Sequence, residues 1–369
     1  MAKEHGKHGK KVRYAVVGAG NIAQVAVLPA FAHARENSEL VALISGDAEK
    51  REELGKRYSI ATLGGYDDLE RVLETARADA VYICTPNTEH RDLAVRAADR
   101  GVHVLCEKPL ATSVEDCEAM GEACARNGVY LMVAYRLHFE AANLKAIEIA
   151  RSGELGEPRL FSSFFSHVVR SGDIRRDPEV GGGACYDLGV YCINAVRHLF
   201  AAEPIEVSAQ VVEKNGADDT TTVLLRFPDD RLAHFCVSNS VAGVSSYRIA
   251  GDRGDLRLEP AFEYAEGNTH YLTVDEKTKR NAFPKSDQFA PELIYFSQCI
   301  LDQRVPEPSV EEGICDIRVV EAILASARTG KPVKLPPYQR RERPSADQEI
   351  RKPPISKPDT VNAPSPGIR

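Results

Sequence analysis

The 369-residue chain has no tryptophan, no CxxC pair, no excess of positive charge and no apolar run approaching the length of a membrane span. Each absence excludes something. A net charge of −7 removes the basic field that nucleic acid requires. Without about 20 consecutive apolar residues there is no membrane-spanning helix to expect, and no membrane partner. The nine cysteines are odd in number, and Cys84, Cys106 and Cys236 lie inside apolar runs. They read as buried free thiols in a reducing compartment. Cys117 and Cys124 lie seven apart on an expected helix, which is core spacing rather than ligand spacing, so no metal is expected. The start, MAKEHGKHGKK, is basic but passes directly into a strand without an apolar segment or cleavage site. No secretory signal is read there, and a cytoplasmic location is expected.

What is present is an ordinary globular composition, 43% hydrophobic and 27% charged. The length suggests two domains. After a basic extension at 1–11, "VRYAVVGAGNIA" is a β-branched strand followed by Gly18, Gly20 and Ala23, a G-x-G-x-x-A turn. The first glycine makes the turn, the second lets the backbone approach a pyrophosphate, and the third small residue lets the helix pack on the strand. A helix starting near Asn21 and Ile22 would aim its amides at the phosphates. Apolar runs at 40–45, 80–86, 103–109 and 131–135 alternate with helical stretches at 47–57, 67–77, 89–100 and 113–127. That alternation predicts a doubly wound parallel sheet, a Rossmann domain over 12–135.

The end of the second strand selects the dinucleotide. An acid there binds the adenosine ribose in NAD enzymes. Here Ser45 and Gly46 occupy the place, with Lys50 and Arg51 one helical turn on. A hydroxyl and nearby cations suit a 2′-phosphate, so NADP is expected over NAD. Asp47 argues the other way.

Two further strand ends carry polar clusters, "CTPNTEH" and "CEKPL", and "GGGACYDLG" follows at 181–189. Together with the glycine turn, these motifs resemble the Gfo/Idh/MocA oxidoreductase family, in its glucose-fructose oxidoreductase branch, from Val12 to about Pro332. The resemblance implies a C-terminal α/β domain over 136–335, built on a large, open, mostly antiparallel sheet. It also implies a homodimer or homotetramer formed through that sheet face. It places catalysis on Lys108, Asp187 and Tyr191, where many members carry histidine at the last position. To the cofactor site it adds Tyr66, Thr85, Pro86, Asn87, His90, Glu107, Lys108 and Arg136, and it sets His138 in the same cleft. The glycines at 181–183 would let the backbone fold against cofactor and sugar.

The side chains suggest the chemistry. Reducing a carbonyl by hydride creates an alkoxide that needs a proton. A tyrosine hydroxyl, ordinarily ionising near pH ~10, can supply it, and the Lys108 ammonium would favour the phenolate. Asp187 would orient sugar hydroxyls. The chain departs from the branch at "DIRRDPEV", where an aromatic-containing segment is expected and Arg175 and Arg176 stand instead, either in its place or as surface charge.

Strands are predicted at 158–169, 206–214, 221–239 and 245–259, the last two as hairpins, with the second turning through Gly254. Helices follow at 289–303 and 311–329. From residue 336 the chain has eight prolines, many charges and little apolar content. It reads as a disordered or polyproline-like tail, or as an arm on a neighbouring subunit. The leading function is an NADP-dependent sugar oxidoreductase acting on a cyclic aldose or a ketose, either exchanging its cofactor at each turnover or keeping it. The alternatives are an NAD-dependent glycoside hydrolase and a non-catalytic dinucleotide-binding regulator.

Overall fold

In a computed structural model, residues 10–340 and 342–367 are described. The basic extension therefore falls almost wholly outside the described residues. Val12–Val17 forms β1, buried along nearly its whole length as a central parallel strand must be. Helix α1 covers residues 21–30, with Ala23–Val27 wound as a wider π turn. There follow β2 (Ser38–Ile44), α2 (Ala48–Tyr58), β3 (Thr62–Gly64), α3 (Leu69–Ala76), β4 (Ala80–Ile83), α4 (His90–Ala98), β5 (His103–Glu107), α5 (Val114–Arg126) and β6 (Leu131–Ala134). The six strands form one parallel sheet in the order β3-β2-β1-β4-β5-β6. The order reverses between β1 and β4, and the crevice beyond their carboxyl ends is where doubly wound sheets bind ligands.

The second sheet has nine strands: β7 (Leu160–Ser166), β8 (Glu206–Lys214), β9 (Ala217–Phe227), β10 (Arg231–Ser238), β11 (Val244–Ala250), β12 (Gly254–Leu258), β13 (Asn268–Val274), β14 (Lys277–Phe283) and β15 (Val333–Lys334). Their order is β14-β13-β12-β11-β7-β10-β9-β8-β15; β7 and β10 run parallel and the other pairs antiparallel. One face packs on α6 (Ala141–Arg151), α7 (residues 184–199) and α9 (Val310–Thr329), and Phe161, Ile193, Val223, Phe235 and Val320 meet in that core. The other face is open, with Leu160, Leu224 and Leu232 at 57, 48 and 40% exposure.

Strands β3, β13, β14 and β15 lie outside the predicted ones, and the structure differs from the sequence reading in four further places. Helix α6 was not expected, although Glu140 caps it by accepting from the Ala142 and Asn143 amides at 2.8 and 2.9 Å. The second hairpin turns through residues 251–253, and Gly254 opens β12. Residues 136–335 are not one separately packed unit. Helix α8 (Ala290–Leu301) returns to the first sheet, where Leu293 and Phe296 join Val12, Tyr14 and Tyr82, and the Tyr14 hydroxyl lies 2.8 Å from Ser297 Oγ. Finally, the proline-rich tail is packed on its own chain. Arg340 pairs with Glu307 at 2.6 Å and with Glu312, while Arg343 pairs with Glu203 at 2.9 Å. Among the described residues, no helix is long and apolar enough to cross a membrane.

Candidate active site

A cleft of about 310 Å³ opens between the two sheets. The Rossmann side contributes Gly20, Asn21, Ile22, Thr85, Pro86, Asn87, Glu107 and Lys108. The opposite wall holds Arg136, His167, Arg175, the glycines 181–183, Asp187, Tyr191 and residues 262–264. Lys108 follows directly on β5, so the strand end delivers its ammonium into the crevice. Asp187 and Tyr191 come from α7, which opens with a π turn at Cys185–Gly189. Such turns inside helices recur at functional sites because they re-aim side chains.

The three expected catalytic residues meet. Lys108 Nζ donates to the Asp187 carbonyl at 2.9 Å, lies 3.5 Å from Asp187 Oδ1, and sits 4.5 Å above the Tyr191 ring centroid. Its charge therefore faces the tyrosine ring rather than the hydroxyl. The cation at the hydroxyl is Arg136, whose Nη2 donates to Tyr191 Oη at 3.2 Å. Arg136 is itself held by Gln288 and the Phe262 carbonyl. Burial opposes its charge, but Tyr191, Glu263 and Glu292 more than restore it.

Asp187 lies among two cations and a histidine. Arg175 Nε is 3.1 Å from Oδ2, His167 Nε2 is 3.7 Å from the same oxygen, and Lys108 is the second cation. Burial works to raise its carboxyl, but Arg175, Lys108 and His167 outweigh burial and hold it below the ordinary carboxylate value. It is thus an ionised acceptor at neutral pH. His167 and Arg175 are functional residues that sequence reasoning did not place. His167 carries no local signal. Arg175 reads from the sequence only as a substitute for an aromatic segment or as surface charge. Its neighbour Arg176 is structural, paired with Asp219 at 2.7 Å and donating to the Val169 carbonyl at 2.9 Å.

The triple glycine lines the cleft and also makes room for close packing behind it. At Gly181 (φ +77°) a Cβ would lie 2.6 Å from Thr112 and 2.9 Å from Asn87 of the Rossmann domain, and Asn87 Nδ2 donates to the Gly181 carbonyl at 2.8 Å. At Gly182 a Cβ would strike the 174–177 backbone, the turn that carries Arg175. Two histidines do not reach the cleft. His90 is fully buried, its ring 3.1 Å from both the Thr85 and Pro109 carbonyls, and it ties two strand-end loops together behind the site. His138 contacts Glu307 at 3.1 Å and Asn194 at 2.9 Å. His90 is expected beside the cofactor and His138 in the same cleft; adjacency to a motif does not fix where a side chain points.

The groove next to the cleft fits a dinucleotide. Gly18 has φ +98°, and a Cβ there would lie 2.6 Å from the Cys84 carbonyl oxygen, so only glycine makes this turn. At Gly20 a Cβ would meet only that oxygen, at 3.9 Å, which leaves the backbone open to close approach. Thr85 Oγ1 is buried in the cleft wall without a protein partner. At the far end, Gly46 packs on Tyr66, where a Cβ would lie 3.4 Å from the ring. Asp47 caps α2 by accepting from the Lys50 amide at 3.1 Å, and that bond, above all, holds its carboxyl below the ordinary value. Arg51 folds back onto the Ser45 carbonyl. The acid that argued for NAD is thus committed to its helix, with Ser45, Lys50 and Arg51 beside it. Glu107 shares the Tyr82 hydroxyl with Glu292, at 3.0 and 3.1 Å, and burial pushes both carboxyls up.

Residues 12–135 match the oxidoreductase family with an NAD-binding Rossmann fold, GFO/IDH/MocA, and residues 143–257 match the C-terminal domain of the same family. The chain belongs to the Gfo/Idh/MocA oxidoreductase family. It is 32% identical over 328 residues to a D-xylose 1-dehydrogenase (NADP(+)) of Haloferax volcanii, a match covering 87% of this chain and 99% of that protein. It superposes on the aldose-aldose oxidoreductase of Caulobacter crescentus, solved with glycerol, with a TM-score of 0.84 and 34% identity, covering 88% of this chain and all of the other. A 3-ketoreductase from Actinomadura kijaniata, solved with NADP and TDP-benzene, gives a TM-score of 0.80 at 25% identity, over 86% of this chain and 98% of that one.

Proposed function

We propose that this chain is an NADP-dependent sugar oxidoreductase that passes hydride between the nicotinamide and a cyclic aldose or a ketose. The observation that carries this reading is the meeting of Lys108, Asp187 and Tyr191 in one cleft beside Gly20–Ile22, with Arg136 on the tyrosine hydroxyl. The dehydrogenase and aldose oxidoreductase relatives support the substrate class. The bound nicotinamide would accept or return the hydride. The protein's part is the proton and the orientation. In sugar oxidation, Tyr191 Oη takes the hydroxyl proton as the carbon loses hydride, and Arg136 stabilises the phenolate that precedes it. In reduction, Tyr191 returns that proton to the new alkoxide. Asp187, ionised, accepts hydrogen bonds from sugar hydroxyls, and Lys108 holds that residue in place by donating its ammonium to the Asp187 backbone carbonyl.

Ser45, Gly46 and Lys50 favour NADP. Lys50→Ala is expected to weaken NADP binding by roughly 1.5–3 kcal/mol, the size of one charge-assisted hydrogen bond, and to leave NAD binding nearly unchanged. Dissociation constants measured for both at equal ionic strength check this; tighter NAD binding by the wild type would remove the argument. A screen of aldoses and ketoses then identifies the sugar.

The open sheet face supports a homo-oligomer. Leu160 and Leu232 are register partners on the adjacent strands β7 and β10, both exposed. Paired exposed leucines on an open sheet face are a seat for a second copy. Sedimentation should give at least a dimer, and Leu232→Lys should shift it toward monomer.

A further inference from the structure

Residues 355–367 run along the outside of the dinucleotide groove. Val361 is clamped by Gln24: its amide donates to Oε1 at 2.7 Å, and its carbonyl accepts from Nε2 at 2.8 Å. Gln24 is fully buried in α1 and also donates to the Ala19 carbonyl of the glycine turn at 2.9 Å. A buried amide needs such partners, and here the tail supplies two of the three. Arg57 donates to the Asp359 carbonyl at 2.6 Å, and Asn362 donates to Glu49 at 2.8 Å and to Asp47 at 3.4 Å. The Ala363 carbonyl accepts from Asn21 Nδ2 at 2.9 Å. The segment then crosses to the other wall of the cleft. Arg170 donates its amide to the Pro366 carbonyl at 3.0 Å, Val169 bridges Gly367, and Pro366 lines the cleft. The contacts therefore border the groove at the glycine turn, at the α2 cap beside the 2′-phosphate corner, and at the exit of β7.

We propose that residues 355–367 are the outer wall of the dinucleotide site, a strap laid in cis across the bound cofactor that must peel away before the cofactor leaves. This rests on the dinucleotide reading of the groove. A side chain of the strap also reaches that corner: Asn362 donates to the carboxylates of Asp47 and Glu49.

The test is the rate of cofactor exit. The full chain, loaded with NADPH, is chased with excess NADP⁺ and followed by nicotinamide fluorescence, beside a chain ending at Pro354. Exit is expected to be about 10- to 100-fold faster without the strap, because several hydrogen bonds are lost together. Since Ile355 and Val361 also pack on the Rossmann core, a full-length variant runs in parallel. Asn362→Asp sets a third carboxylate against Asp47 and Glu49 and should speed exit about threefold or more, with part of the effect removed by high salt. Tight binding with equal exit rates in all three proteins overturns the strap and leaves the dinucleotide reading intact. Faster loading and tighter binding after truncation also overturn it, because the segment would then be a plug rather than a wall. A full chain that binds neither NADPH nor NADH fails at the earlier step and removes both.

Discussion

Tyr191→Phe is expected to fold, bind NADP with an unchanged dissociation constant, and lose about 10²–10⁴ in turnover on its best sugar. The surroundings of the ring make this a clean subtraction. Tyr191 packs against Phe165 and Phe262, with ring centroids 5.6 and 5.9 Å away, and phenylalanine keeps both contacts. Among the described residues the hydroxyl has one hydrogen-bond partner, Arg136. Arg136 retains Gln288 and the Phe262 carbonyl when the hydroxyl goes. If Tyr191 were only a packing residue, its hydroxyl would be worth about 0.5–1.5 kcal/mol of stability and nothing in rate. The two roles therefore separate on kcat, with KM and folding as controls. Wild-type turnover in the variant would return Tyr191 to the core and send the proton role to another group. Asp187 is a poor candidate for it, because the groups around it, Arg175 and Lys108 foremost, hold its carboxyl below the ordinary value.

The structure also reassigns which cation matters most to that hydroxyl. The sequence places Lys108 and Tyr191 in one site through their motifs, and they do meet. Motifs cannot show that the ammonium lies over the ring while a guanidinium reaches the oxygen. The same limit explains the other differences. β1, its glycine turn and the strands at β4 to β6 are legible because buried parallel strands are continuous apolar runs, and a G-x-G-x-x-A turn has a local reason for each small residue. Strand β14, "KTKRNAF", is almost wholly exposed at the sheet edge, so it lacks the alternation that marks a strand. His167 and Arg175 act on Asp187 from 20 and 12 positions away, and no spacing rule links them. The glycines at 181–183 were legible as a place where side chains do not fit. What they make room for, Asn87, Thr112 and the Arg175 turn, is a contact between distant segments.

The tail is the clearest case of composition misleading. Prolines and charges are read as solvated, yet Arg340 is 1% exposed at its side chain and faces Glu307 and Glu312, both buried. Arg340→Met is accordingly expected to destabilise the protein by about 3–5 kcal/mol, the usual cost of leaving a buried charge without its partner. An arginine on a solvated linker would change stability by no more than about 0.5 kcal/mol. A denaturant midpoint measures the difference. The double variant Arg340→Met, Glu307→Gln should recover part of the loss, because Gln348 still serves position 307 through its backbone carbonyl, at 3.1 Å. The consequence reaches the site. Glu312 of α9 accepts from Arg197, His198 and Asn194 of α7, at 2.6, 2.9 and 2.7 Å. Asn194 lies one turn beyond Tyr191 on the same helix. An arginine of the tail thus joins Arg197 on the carboxylate that pins the catalytic helix. Arg340→Met should therefore lower kcat as well as stability. A variant with the full stability loss and wild-type kcat would show that α7 is held without it.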